Sequence, residues 1–120
     1  QNAVSRFQAC ARNRTVRIMS IDKYILEGHE PKPVDDLLEW GRWFETADRR
    51  VDQTEIGPYF ISTVFLGLDY DYTGKGPPML FETMVFVGGD EVFCARCSTW
   101  DEAVKQHQNA VSRFQAAANG

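Results

Sequence analysis

Two stretches of the chain are apolar on both sets of alternating positions. Within residues 59–68 (YFISTVFLGL), Phe60, Val64, Leu66 and Leu68 fall on one side of an extended chain, and Ile61, Thr63 and Phe65 on the other. Within residues 79–87 (MLFETMVFV), Leu80, Met84 and Phe86 oppose Phe81, Val85 and Val87. Their β-branched and aromatic content predicts two strong strands. An antiparallel sheet with one wet face would alternate polar and apolar residues, so both faces are expected to be covered. A third strand is predicted over residues 91–97 (EVFCARC) after the turn Gly88, Gly89, Asp90, and a short edge strand over about 51–56 before the Gly57-Pro58 break. Residues 69–78 (DYDYTGKGPP) read as a hairpin loop, and residues 21–27 (IDKYILE) as a short extended segment. Residues 28–33 read as a loop, because Pro31 and Pro33 prevent regular helix there.

Helical periodicity governs the flanks. From Val34 to about Arg50, Leu37, Trp40, Gly41, Phe44 and Ala47 share a face. Asp35 and Asp36 stand in the first turn and Arg49 and Arg50 in the last, each complementing the helix dipole. Thr99, Trp100, Asp101 and Glu102 match a capping box. Behind it Trp100, Val104, His107, Val111, Phe114 and Ala118 trace a helix stripe to about Ala117. A short N-terminal helix is expected over residues 2–12, with Val4, Phe7 and Ala11 on one stripe. The expected fold is α+β: an antiparallel three- to four-stranded meander flanked by two main helices, in the order helix, strands, helix.

Composition narrows the class. The 120 residues, 43% hydrophobic and 25% charged, suit one globular domain and exclude a disordered or fibrous chain. No apolar run approaches the ~18 residues of a membrane span. Net charge is −4, unevenly spread. Residues 1–18 carry Arg6, Arg12, Arg14 and Arg17 and no acid, leaving 9 basic and 17 acidic residues in the rest. An acidic body argues against nucleic-acid binding, which needs a basic surface, and the basic arm reads as a solvated extension.

The nonamer QNAVSRFQA occurs at residues 1–9 and again at 108–116. In one reading residues 1–18 are a non-native basic leader, as a tandem gene copy in an integron cassette array would place before a natural start at Met19. In the other they are a working, duplicated helix. Residues 19–120 form the single α+β domain in either case.

Candidate chemistry is sparse. Cys94 and Cys97 form a CxxC on an expected strand, where positions i and i+3 face opposite ways, and no second CxxC or His pair completes a zinc site. They read as two structural thiols in a reducing compartment. Asp69, Asp71, Thr73 and Gly74 echo a calcium loop, but loop position 12 is Leu80 rather than a bidentate Glu, so a hairpin turn is the plainer reading. Glu82 interrupts an apolar strand and needs a cation such as Arg42, Arg49 or Arg96, or a pocket to open onto. His29, Asp69, Glu82 and Arg42 make up the one candidate pocket. No catalytic, cofactor-binding or metal-ligating residue is assigned, and no nucleophile-elbow, phosphate-loop or zinc-protease motif occurs.

The strings KYILEGHEPKPVDDLLEWGRWFE, ISTVFLGLDYDY, GPPMLFETMVFVGG and STWDEA resemble a group of small proteins of phages, prophages and bacterial mobile DNA to which no activity is assigned. The resemblance covers roughly residues 22–107 and leaves out the first 18 residues and the CxxC. It implies a gene on mobile DNA and a bacterial cytoplasm, and it implies no catalytic residue. The expected function is a non-enzymatic, self-associating accessory module. A homodimer is expected with Phe65, Phe81, Val85, Val111 and Phe114 near the interface, no membrane, no cofactor and an unassigned protein partner. The alternative is a small-ligand-binding or metal-dependent enzyme using His29, Asp69 and Glu82.

Overall fold

A computed structural model describes residues 22–70 and 76–120. The chain is α+β, as its periodicity predicts. A hairpin of β1 (Lys23–Glu27) and β2 (Glu30–Val34) leads into α1 (Leu37–Thr46). Four strands follow, β3 (Arg50–Ile56), β4 (Tyr59–Phe65), β5 (Phe81–Val87) and β6 (Asp90–Cys97), and α2 (Trp100–Asn119) ends the fold. The four strands form an antiparallel meander in the order β3-β4-β5-β6. The duplicated-helix reading of residues 1–12, and residues 71–75 of the calcium-like loop, lie outside the described residues.

Residues 28–33 are not a loop. Gly28 and His29 make a two-residue turn, and Pro31 and Pro33 sit in β2 opposite Leu26 and Tyr24. Proline is tolerated because among the described residues β2 pairs on one side only, so its missing N–H is not needed by a second neighbour there. The first main helix is shorter than its periodicity suggests. Asp36 is the N-cap, its Oδ1 accepting from the Leu38 N–H at 2.9 Å, and Ala47 is the C-cap. Arg49 and Arg50 fall beyond the helix, with Arg50 opening β3 and bonding Asp48.

Both strong strands keep their expected parity. Ile61, Thr63 and Phe65 of β4 and Phe81, Thr83 and Val85 of β5 are fully buried. α2 lies across this face, packing Ala103 against Phe65, Leu80 and Phe81, and Ala110 against Ile61 and Val85. Its buried line of Ala103, His107 and Ala110 is short-chained at both ends, which lets the helix sit close to the sheet. The β1–β2 hairpin and α1 close one end of the same core: Tyr24, Leu26, Trp43 and Trp100 surround the Phe65–Phe81 pair. β1 is stitched to the chain leaving β4 by the Tyr24 N–H, which donates to Gly67 O at 2.9 Å.

Gly67 is a required glycine. Its φ is +80°, and an added Cβ would stand 3.1 Å from the Phe44 ring and 3.3 Å from Trp40 Nε1, which donates to Gly67 O at 3.0 Å. The β5–β6 turn places Gly88 and Gly89 both at positive φ, the two-residue primed turn that suits a twisted hairpin. Beyond it β6 carries a bulge: Phe86 faces Glu91, Val85 faces Phe93, and Val92 is the extra residue.

The capping box of α2 is complete. Thr99 Oγ1 accepts from the Glu102 N–H at 3.1 Å, and Glu102 Oε1 accepts from the Thr99 and Ser98 N–H groups at 3.1 Å. Thr99→Ala is expected to cost about 1 kcal/mol, the usual loss for an N-cap hydroxyl, read as a lower urea midpoint. An unchanged midpoint contradicts the cap's contribution.

Candidate functional site

The residues brought forward from the sequence are held in separate places. His29, at the hairpin tip, stacks flat on Trp100 with centroids 3.8 Å apart and planes 5° apart. It lines a surface hollow of about 440 Å³ with Glu30, Pro31, Thr99, Trp100 and Asp101. Asp69 closes the base of the 69–79 loop, its Oδ1 accepting from the Met79 N–H at 2.9 Å. With Asp22 and burial, it pushes the Tyr24 phenol above its ordinary value. Glu82 projects from β5 to the side opposite Phe81, so the sheet itself separates it from Trp100 and from His29 stacked there. Arg42 is exposed on α1. The expected pocket of His29, Asp69, Glu82 and Arg42 is therefore corrected: strand parity puts Glu82 and His29 on opposite sides of the sheet. Among the described residues no group of three His, Cys, Asp or Glu side chains is placed to hold a metal ion.

Glu82 takes one of the partners its burial demands. It is 2% exposed. Arg96, directly opposite in register, places Nε and Nη2 each 3.1 Å from Glu82 Oε2. The Arg96 guanidinium also lies 4.7 Å from the Tyr70 ring centroid. Arg49 lines the same side of the sheet and donates from Nη1 to Phe65 O at 2.9 Å, with its guanidinium 4.0 Å above the Phe44 ring. Arg49, Ser62, Val64, Leu66, Glu82, Met84 and Phe86 enclose a shallow hollow of about 230 Å³.

The expected interface needs the same correction. Phe65, Phe81 and Val85 are fully buried beneath the chain's own α2, and Val111 and Phe114 pack onto the Ile61–Val85–Ala110 cluster. Phe65, Phe81 and Val85 therefore present no surface to a second copy, while Val111 and Phe114 stay half-buried at the edge of the core. The opposite face carries the alternative rows. Phe60 pairs with Phe86, Ser62 with Met84 and Val64 with Glu82 across β4 and β5. Phe60, Val64, Leu66 and Phe86 are half-buried.

A polar chain beneath α2 carries little sequence signal. His107, 2% exposed, holds Thr63 Oγ1 on Nδ1 at 2.8 Å and Thr54 Oγ1 on Nε2 at 2.9 Å. Thr63 and Thr83 share a 2.7 Å bond, and Gln106 Nε2 donates to Thr83 Oγ1 at 2.9 Å. With neutral His107 carrying its proton on Nε2, every hydroxyl donates in one direction: Gln106 to Thr83, Thr83 to Thr63, Thr63 to Nδ1, and Nε2–H to Thr54. Asp52 Oδ2, 3.7 Å from Nε2, favours that tautomer. The available signal is one threonine on each of three adjacent strands, all of inward parity and all opposite the single His of the helix stripe.

Burial pushes the His107 imidazole below its ordinary value of 6.5, with Asp52 pulling weakly the other way. The unfolded chain therefore takes up the proton first. Stability is complete above about pH 6.5 and falls as the pH drops below it, until the folded imidazole also protonates. Urea midpoints at about pH 8 and pH 5.5 are expected to differ more for the wild type than for His107→Gln. Equal pH dependence in the two proteins rules out His107 as the source.

The two cysteines of the CxxC differ in state. Cys97 is a free thiol pushed up to about 11 by burial and by Glu102, so it is protonated at neutral pH. Cys94 is disulfide-bonded, so the reading of two thiols holds for Cys97 alone and the pair forms no bridge with itself.

Cys97 lines a groove between β6 and α2, about 440 Å³ in volume. Phe93, Cys97 and Ala110 form its floor, and Glu102, Lys105, Gln106, Asn109 and Arg113 its helix wall. No described helix is long and apolar enough to cross a membrane. Comparison of the chain with protein-family models, with curated proteins and with solved structures finds no match in any of the three.

Proposed function

We propose that the chain is a non-enzymatic accessory module, carried on mobile DNA, that self-associates through the sheet face opposite α2. The observation that carries this reading is the register of that face. Phe60 and Phe86 stand with ring centroids 6.1 Å apart, half-buried Val64 and Leu66 continue the apolar strip, and α2 is committed to the other side. Two such faces pack at about 10 Å in an aligned sandwich, and a two-fold arrangement presents the same strip to itself. The separation of His29, Asp69 and Glu82 speaks against the alternative enzyme.

Light scattering at micromolar concentration is the test. The wild type is expected at twice the chain mass, and Phe86→Lys at the chain mass with an unchanged far-ultraviolet spectrum. A monomeric wild type, or a dimer that Phe86→Lys leaves intact, overturns the reading.

A further inference from the structure

We propose that Cys94 is bridged to Cys10, and that this bridge holds the basic N-terminal arm, residues 1–18, along β6 on the sheet face opposite α2. The bridge does not depend on self-association through that face.

Only one cysteine can be the partner. The chain has three, Cys10, Cys94 and Cys97. Cys94 is disulfide-bonded and Cys97 is a free thiol, so within one chain Cys10 alone is left to close the bond. Register excludes Cys97 as well. Cys94 stands opposite Met84 and Cys97 opposite Phe81, so the two side chains leave β6 on opposite faces. Three positions along a strand span about 10 Å. A disulfide needs its Cβ atoms about 4 Å apart.

Burial supports a cover on the same side. On the face opposite α2, the two outer strands of the meander differ. On β3, Arg50, Gln53 and Glu55, opposite Val64, Ser62 and Phe60, are exposed. On β6, Glu91, Cys94 and Arg96, opposite Phe86, Met84 and Glu82, are half-buried. The inner strands repeat the asymmetry. Met84 and Glu82 of β5 are 7% and 2% exposed, whereas Phe60, Ser62 and Val64 of β4 are half-buried. Tyr70 lies against Arg96, its ring centroid 4.7 Å from the guanidinium, but Cys94 and Glu91 stand further along β6, toward the Gly88-Gly89 turn.

Reach and charge suit the arm to this place. Asp22 O accepts from the Asp69 N–H at 3.1 Å, and Tyr70, the next residue, lies on Arg96. Residue 22 therefore enters the fold at the Arg96 end of β6. Cys10 is twelve positions before it, a length that can span about 40 Å when extended. The arm carries four arginines and no acid, while the rest of the chain has 17 acidic and 9 basic residues, so the two attract. Closing the bridge takes one proton and one electron from each thiol. An external disulfide such as oxidised glutathione accepts them and leaves as two thiols. The arm is thus held under oxidising conditions and released by a thiol reductant.

The test uses the full chain, equilibrated with oxidised glutathione, alkylated in denaturant and digested with trypsin. Cleavage after Arg6, Arg12, Lys75, Arg96 and Lys105 puts the three cysteines in separate peptides, residues 7–12, 76–96 and 97–105. Mass spectrometry is expected to find 7–12 linked to 76–96, with 97–105 alkylated. In the native protein, tryptic cleavage at Arg12, Arg14 and Arg17 is expected to be about tenfold slower than in Cys10→Ser, and dithiothreitol is expected to erase that difference. A link through Cys97, no link after equilibration, a link between two chains on a non-reducing gel, or an arm cleaved equally fast with and without the bridge each overturns the proposal. Light scattering on the same samples separates it from self-association: a bridged chain of single mass overturns self-association alone, and a dimer that forms no bridge overturns the bridge alone.

Discussion

Replacing Phe81 with alanine is expected to cost about 4 kcal/mol, the middle of the range for deleting a buried ring. Phe81 has no exposed surface. Its ring meets Phe65 at 5.3 Å and Trp100 edge-on at 6.2 Å, and Tyr24, Leu26 and Trp43 close the same cluster. The site cannot collapse to fill the gap, because its walls come from the sheet, both helices and the hairpin, each fixed by other contacts. A domain of this size has about 5–15 kcal/mol in total, so the loss is a large share of it. Urea unfolding is the measurement, with the midpoint falling and the slope unchanged. A change below about 1.5 kcal/mol would mean that the cluster is not the centre of the core. Phe86→Ala, on the half-buried face, is expected to cost less than half as much.

The Glu82–Arg96 pair should show the asymmetry of buried charge. Arg96→Met removes the cation from a carboxylate that is 2% exposed and is expected to cost about 3–5 kcal/mol. Adding Glu82→Leu to the same protein should recover most of that loss, since an apolar pair of similar volume avoids the desolvation both charges pay. The double-variant cycle therefore predicts a strongly positive coupling. Additive losses would show that the two side chains do not depend on each other.

Periodicity carried most of the architecture, and its failures have identifiable causes. The faces of β4 and β5 follow directly from alternation, and Thr99 with Glu102 marks the start of α2 to the residue. The hairpin at 23–34 escaped because Pro31 and Pro33 argue against a strand in general, but not in one whose second side has no partner among the described residues. α1 begins later than its apolar spacing implies because Asp36 bonds the Leu38 N–H as a cap instead of sitting inside the first turn. Alternation also shows that two faces exist without showing which one the chain covers for itself. For that reason Phe65, Phe81 and Val85 read as interface residues although α2 buries them. Glu82 was legible as a buried carboxylate in need of a cation. The choice of Arg96 over Arg42 and Arg49 depended on cross-strand register, which residue spacing within one strand does not contain. The threonine–histidine chain stayed hidden for the same reason, since Thr54, Thr63 and Thr83 become neighbours only once three strands are aligned.

The bulge at Val92 has a consequence for how this chain can change length. Counted back from the Gly88-Gly89 turn with every residue paired one to one, Arg96 would stand opposite Phe81, beneath α2, and Cys94 opposite Thr83. With the bulge, Arg96 stands opposite Glu82 and Cys97 opposite Phe81. Deleting Val92 would therefore close the bulge and leave Phe93–Cys97 in their present register, with Arg96 still opposite Glu82, whereas inserting one residue between Glu91 and Phe93 without a second bulge would turn every later side chain of β6 over, driving a guanidinium into the aromatic core. Gain of a single residue in this arm is thus a form of variation the fold excludes while loss of one is not, even though the arm leads from a tight, exposed turn where length changes of either sign are ordinarily tolerated.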